Sequence, residues 1–370
     1  MEIQKKKTLN YFIFIVAFLM ICISFVFKEI KYIRYLSVLP ILLVANLRIR
    51  SQYLARTFIL FLIYVLLGAL LAIASSRFST RLIAEIILTM IPIVFVVLFN
   101  SAEKINAGHI KCFFIITVFF MIIENFSSFF IIFYNPTILF KALITSRINT
   151  ESHFGFVFGL FFLYFFFSNS KKRYTILAFI FLLIALKRIA IVATIISLIV
   201  FFLYKKKKFT KSKKYFFNAG AFISLVTFVY VIIHLSVGTY NDIIKEYTGL
   251  SANAFTKGRA YLYETVLNEM PIKFLGYGLG VVTDYLIGLN LKVDRLHSDL
   301  LRNIIEYGWG AFSIVILVFN RINIFSIKSM IILIFYWVIM VTDNAFVYFD
   351  FLVLFYMIQS NLYDNKRGVI

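Results

Sequence analysis

Apolar residues run in long blocks along this chain, broken by short charged clusters. Twelve blocks are long or apolar enough to be candidate membrane spans: 9–27, 35–47, 57–75, 82–99, 112–133, 154–168, 174–186, 189–204, 215–237, 299–319, 329–342 and 345–361. About 20 apolar residues carry a helix across the ~30 Å of hydrocarbon in a bilayer. The second, seventh, eighth, eleventh and twelfth blocks are short, so some are expected to be tilted, re-entrant or paired. The pattern predicts an all-α polytopic membrane protein with about 12 transmembrane helices, within a range of 10–12. It divides into a bundle over 1–237, a large hydrophilic loop over 238–298 and C-terminal helices over 299–370.

Composition agrees. Of 370 residues, 62% are hydrophobic and 15% charged, and the mean hydropathy is +0.93. A soluble domain runs nearer half apolar and a quarter charged. Cys22 and Cys112 both lie in apolar runs, so neither a disulfide framework nor a zinc site is encoded. Lys5-Lys6-Lys7 precedes the first apolar run and no small-residue cleavage site follows, which reads as an uncleaved signal-anchor.

The net charge of +21 would suggest nucleic acid in a soluble chain, but its placement argues otherwise. With a cytoplasmic N-terminus, the alternate connecting segments carry 22 basic residues against three acids, Glu2, Glu103 and Asp364. That asymmetry sets an orientation with both termini cytoplasmic. The Lys205–Lys214 run is then a topogenic, headgroup-facing loop. The long segment 238–298 falls on the outer side, where recognition or chemistry is expected. His153, His234 and His297 fall at or near that face.

Charged groups within spans need partners or functions. Glu85 has Arg81 four residues earlier on its helix face. Glu124-Asn125 lies about nine residues in from the outer end of its span, ~14 Å deep, and needs a buried partner. Lys187-Arg188 forms a tight cationic turn with no acid nearby in sequence, which leaves an anionic ligand open. Asp343-Asn344 and Asp350 are expected to form hydrogen bonds between helices.

In the outer segment, Leu262, Val266 and Met270 make a helical stripe that Pro271 ends. Arg259 then falls in the first turn, suited either to a phosphate or to the leaflet surface. Gly276-Tyr277-Gly278-Leu279-Gly280 reads as a flexible turn. On a continuous helix from His297, Glu306 points away from the imidazole. Arg302 and Glu306, four apart, are expected to pair, leaving His297 at the boundary facing the bundle.

These pieces, in this order, resemble the bacterial O-antigen polymerase and O-antigen ligase superfamily of lipid-linked glycan transferases. His297-Ser298-x-x-Leu301 followed by Glu306-x-Gly308 is similar to that family's His-Asn-x-x-Leu, Glu-x-Gly block. Gly258-Arg259, Pro271 and Gly276-x-Gly278-x-Gly280 resemble its Gly-Arg, amphipathic helix and Gly-rich segment. Lys187-Arg188 resembles its Ser-Arg step between spans. Arg147, Asn149 and His153-Phe154-Gly155 resemble its outer-loop arginine segment. Ser298 stands in place of Asn, Lys187 in place of Ser, and Gly310 lies one position early.

The resemblance implies a metal-independent, inverting glycosyltransferase of the inner membrane, without a cofactor. It would act at the outer face on undecaprenyl-pyrophosphate-linked oligosaccharide. A polymerase of surface polysaccharide repeat units, O-antigen or capsule, is the first expectation. A ligase that transfers the glycan to lipid A core or another acceptor is the second, and a flippase of lipid-linked oligosaccharide the third. His297 is expected as base or orienting acceptor. Arg188 and Arg259, with Arg147, are expected on the pyrophosphate. Lys187, His153, Tyr277, Arg302 and Glu306 complete the expected substrate-binding set. Expected partners are membrane lipids, a flippase and a chain-length regulator, but no nucleic acid.

Overall fold

A computed structural model describes residues 2–30, 32–46, 48–77, 81–126, 134, 153–168, 171–204, 210–256, 258–290 and 295–367. Among them the chain is helical, without strands. The helices are α1 (Glu2–Val26), α2 (Ile33–Leu36), α3 (Val38–Leu42), α4 (Gln52–Ala74), α5 (Arg81–Ala102), α6 (Ala107–Glu124), α7 (Phe154–Phe167), α8 (Lys172–Ile184) and α9 (Arg188–Tyr204). They continue with α10 (Lys211–Ser236), α11 (Asn241–Thr248), α12 (Ala252–Phe255), α13 (Arg259–Glu269), α14 (Val281–Gly288), α15 (Asp299–Asn323), α16 (Ile327–Thr342) and α17 (Phe349–Arg367).

Five of these, α4, α5, α6, α10 and α15, are long and apolar enough to cross a membrane, and shorter apolar helices accompany them among the described residues. The second expected span is instead a broken pair, α2 and α3, joined at Ser37, whose hydroxyl bonds back to the Arg34 carbonyl. α6 ends at Glu124, where the Asn125 amide donates to the Met121 carbonyl. Glu124 is therefore an exposed group at a helix end rather than the buried acid its sequence position suggests.

An apolar helix without a polar face belongs inside a bundle. α17 fits that rule, because every residue from Phe351 to Ser360 is buried. It is enclosed by α5, α7, α16, α4 and α6. α7 and α8 pack as a hairpin, and α9 lies along α16. Aromatic rings supply much of the contact, as where Phe18 stacks on Phe113 at 4.7 Å and Phe14 on Phe99 at 3.8 Å. The rim is apolar as well: Ile59, Ile63, Leu66 and Leu70 of α4 and Phe216, Ile223 and Val226 of α10 are exposed. Such ridges suit a hydrocarbon surrounding.

α15 is broken in its middle. Gly308 has φ 77 and ψ 157, which frees backbone groups of the helix. The segment before α14 fills the break. Trp309 and Gly310 donate to the carbonyls of Lys273 and Phe274, and Tyr277 and Gly278 donate to those of Ile305 and Glu306. A Cβ at Gly278 would stand 2.2 Å from Ala72 Cα. This glycine segment is thus a packed strap wedged between α4 and α15, and not the flexible turn its composition suggests.

The hydrophilic segment folds back on the bundle. Leu262, Tyr263 and Val266 of α13, with Met270 directly after it, share a second core with Ile232 of α10, Val282 and Leu286 of α14, and Leu301 and Ile305 of α15. The helical stripe expected from Leu262 to Met270 is this buried face.

Candidate functional site

The end of the bundle beneath α13 gathers residues from four distant parts of the chain. At its centre is Asp343, which terminates α16 in extended conformation. Its carboxylate accepts from the Asn344 N–H at 2.8 Å and the Tyr348 hydroxyl at 3.1 Å, and meets the Lys187 ammonium at 3.1 Å. Its carbonyl accepts from the N–H of Asp299, the first residue of α15. Arg259, in the first turn of α13, donates from Nη1 to the Thr342 carbonyl at 2.9 Å. A cation there also suits the negative end of α16.

Local backbone places Lys187. Leu186 adopts φ 51 in the turn between α8 and α9, a conformation unfavourable for a side chain of that kind. Gly155 opposes the turn, and a Cβ on it would lie 2.5 Å from that of Lys187. The ammonium lies 5.2 Å from the Phe156 ring centroid. The cationic turn that lacked an acid in sequence thus has one in space.

Tyr263 of α13 donates to the His297 carbonyl at 3.1 Å, which brings His297 to the same end. Burial pushes the Tyr263 phenol up to about 12. Ser298 caps α15, its hydroxyl accepting from the Leu301 N–H. His297 therefore precedes the helix, and the face expected for it on a continuous helix does not apply. His153, one residue ahead of α7, stacks on Tyr348 with centroids 5.8 Å apart and places Nε2 3.6 Å from Asp350. Arg188 opens α9 and is exposed. Arg147 lies outside the described residues.

A second polar cluster lies beside α4, buried except for the partly exposed Arg295. The Arg302 guanidinium reaches Glu85 at 2.8 Å and Asp299 at 2.9 Å, and Arg295 reaches the other Glu85 oxygen at 3.1 Å. Asp299 also accepts from the Phe346 N–H at 2.8 Å. Glu306 accepts instead from the N–H groups of Gly280 and Val282, at the start of α14. Tyr64 donates to Asn303 at 2.7 Å and stacks on Tyr307. The expected Arg302–Glu306 pair is therefore not formed, and Glu85 is held by Arg302 and Arg295 rather than by Arg81 alone.

Arg302 is 1% exposed with two carboxylates on it, and Glu306 is fully buried. In this arrangement both hold the bundle together rather than face a ligand. Tyr277 sits in the strap, its hydroxyl donating to the Pro271 carbonyl, with Lys273 and Arg77 over its ring at 4.5 and 5.2 Å.

Chemically, the Asp343 end offers the Lys187 and Arg259 cations for an anion, the His153 imidazole for proton transfer and a carboxylate that holds Lys187. Asp343 is the residue that sequence reasoning undervalued; its only signal was an Asp-Asn pair at a turn between two apolar runs. No protein-family model, no curated protein and no solved structure matches the chain.

Proposed function

We propose that the chain is a polymerase of surface polysaccharide repeat units, working on lipid-pyrophosphate-linked glycan at the outer face of the cell membrane. The observation that carries this reading is the convergence of Lys187, Arg259, His153 and His297 on the Asp343 turn. These residues stand far apart along the sequence, and they meet at one end of an apolar bundle. In the twelve-span topology with cytoplasmic termini, that end faces outward.

The chemistry suits the arrangement. A departing pyrophosphate develops charge that fixed cations stabilise. Lys187 and Arg259 lie within the cluster, and Arg188 follows directly. An acceptor hydroxyl needs a base within reach, and His153 and His297 are the imidazoles at this end. The apolar rim suits a lipid-borne substrate delivered within the bilayer.

The test is polymer length in cells. Arg259→Ala or Arg188→Ala should remove long chains while a single-repeat product persists. Normal long chains in both variants would sink the assignment. Reporter fusions after residues 209 and 265 should report opposite sides of the membrane.

A further inference from the structure

Asp350 is an anomaly of this bundle. It is 1% exposed, and neither carboxylate oxygen has a hydrogen-bond donor in good geometry. Its own N–H and that of Phe351 approach it at the start of α17, where the helix end favours an anion. The imidazole of His153 stands against it, with Nε2 3.6 Å from Oδ2. A buried carboxylate so poorly satisfied costs stability, and a well-packed apolar residue in its place is often neutral or stabilising. Packing therefore does not account for it.

Its surroundings point to proton transfer. His153 is buried at Nε2 but 19% exposed as a side chain, and its ring lies on Tyr348, which donates to Asp343. Arg34 of α2 and Lys187 of the α8–α9 turn lie within electrostatic reach of the imidazole. Arg34, Glu124 of α6 and the Cys22 thiol of α1 lie within electrostatic reach of Asp350. Burial, then the charges of Arg34 and Lys187, keeps the imidazole neutral, the state a base must hold before it takes a proton.

We propose that His153 and Asp350 form an imidazole–carboxylate dyad that accepts the proton of an incoming sugar hydroxyl beside the Lys187–Asp343 pair. The dyad rests on the glycan-transfer reading and assigns its base. Asp350, with Oδ2 3.6 Å from Nε2, favours the tautomer protonated at Nε2, whose Nδ1 lone pair is basic. As the hydroxyl oxygen bonds to the anomeric carbon, its proton passes to Nδ1. The bond from that carbon to the phosphate oxygen breaks, and its electron pair leaves on the lipid pyrophosphate. The imidazolium then returns its proton to water. His153 is the base and Asp350 a positioning residue.

The experiment uses the full chain purified in lipid nanodiscs, with ring-15N-labelled histidine; the chain has four histidines, and His153→Gln assigns the resonance. Three quantities are read in wild type, Asp350→Leu, Asp350→Asn and Asp350→Glu: the His153 tautomer, the Tm, and transfer between lipid-linked repeats. The dyad predicts an Nε2–H tautomer in wild type that is lost in Asp350→Leu, with Tm kept or raised. Transfer should fall on the order of 10²-fold or more in His153→Gln, fall comparably in Asp350→Leu, and recover partly in Asp350→Glu. Transfer retained in Asp350→Leu or His153→Gln overturns it. So does an unchanged tautomer, or a lowered Tm in both Asp350→Leu and Asp350→Asn with no tautomer change. If wild type transfers no glycan, the functional reading fails by itself; a tautomer shift would still uphold the dyad, and no shift would end it.

Discussion

The Lys187 ammonium stands 3.1 Å from the Asp343 carboxylate, closing the turn between α8 and α9 onto the end of α16. Both side chains are largely withdrawn from solvent, at 15% and 6% exposure. Removing one partner of a buried pair strands the other charge and costs about 3–5 kcal/mol, whereas replacing both with apolar groups is often neutral. Lys187→Met and Asp343→Leu should each lower the unfolding midpoint clearly, and the double variant should regain most of the loss. Additive losses in the double variant would show that the two charges are not coupled. Tyr348→Phe removes a single donor to Asp343 and should cost about 1 kcal/mol.

The break in α15 makes a separate prediction. Gly308 combines φ 77 with a space so tight that a Cβ would meet the Phe274 carbonyl at 2.3 Å. Gly276 would meet the Glu306 backbone at 2.4 Å. Gly308→Ala or Gly276→Ala should push the strap out of the helix break and destabilise by several kcal/mol, within the range for strain and broken packing. Gly220 lies in α10, where an added methyl would meet nothing within 4 Å, so Gly220→Ala should be neutral or stabilising by up to about 1 kcal/mol. Thermal unfolding in detergent compares the three directly; equal tolerance at all positions would refute the strap.

Arg302 and Arg188 should separate structure from function. Arg302 neutralises Glu85 and Asp299 at once, so Arg302→Leu strips Asp299 of its cation, leaves Glu85 with Arg295 alone, and should be among the most damaging changes to folding, about 3–5 kcal/mol. Arg188 is exposed, and Arg188→Ala should leave the unfolding midpoint unchanged while shortening the polymer if the proposed function holds. An Arg302→Leu protein that folds as well as wild type would remove the electrostatic account of this cluster.

Two pairs at helical spacing show what a linear pattern cannot carry. Arg81–Glu85 and Arg302–Glu306 both obey four-residue spacing, yet such a pair is worth only about 0.2–0.5 kcal/mol on an isolated helix. Inside the bundle, Glu85 and Arg302 face the same interior from α5 and α15, and the cost of leaving either charge alone outweighs the local match. The apolar blocks and the α13 stripe were legible because helical burial follows periodicity. The acid opposite Lys187 was not, because it arrives from the far end of the chain. The strap was not legible either, because glycine spacing signals freedom and close packing alike, and only the neighbouring backbone distinguishes them.

His153 gives the pH prediction. Burial, with the charges of Arg34 and Lys187, lowers its titration to about 3, against an ordinary value of 6.5. A histidine kept neutral in the folded chain but free to protonate when unfolded favours the unfolded state in acid. Its contribution to stability is therefore fully present above pH 6.5 and is lost progressively as pH falls toward about 3, where the folded form also takes up the proton. Wild type should lose Tm steadily from pH 6.5 to 4.5, and His153→Gln should lose less over that range because glutamine does not titrate. The two proteins should differ least at pH 7.5 in the slope of Tm against pH. Parallel curves for both proteins from pH 7.5 to 4.5 would show that the imidazole is not held neutral in the fold.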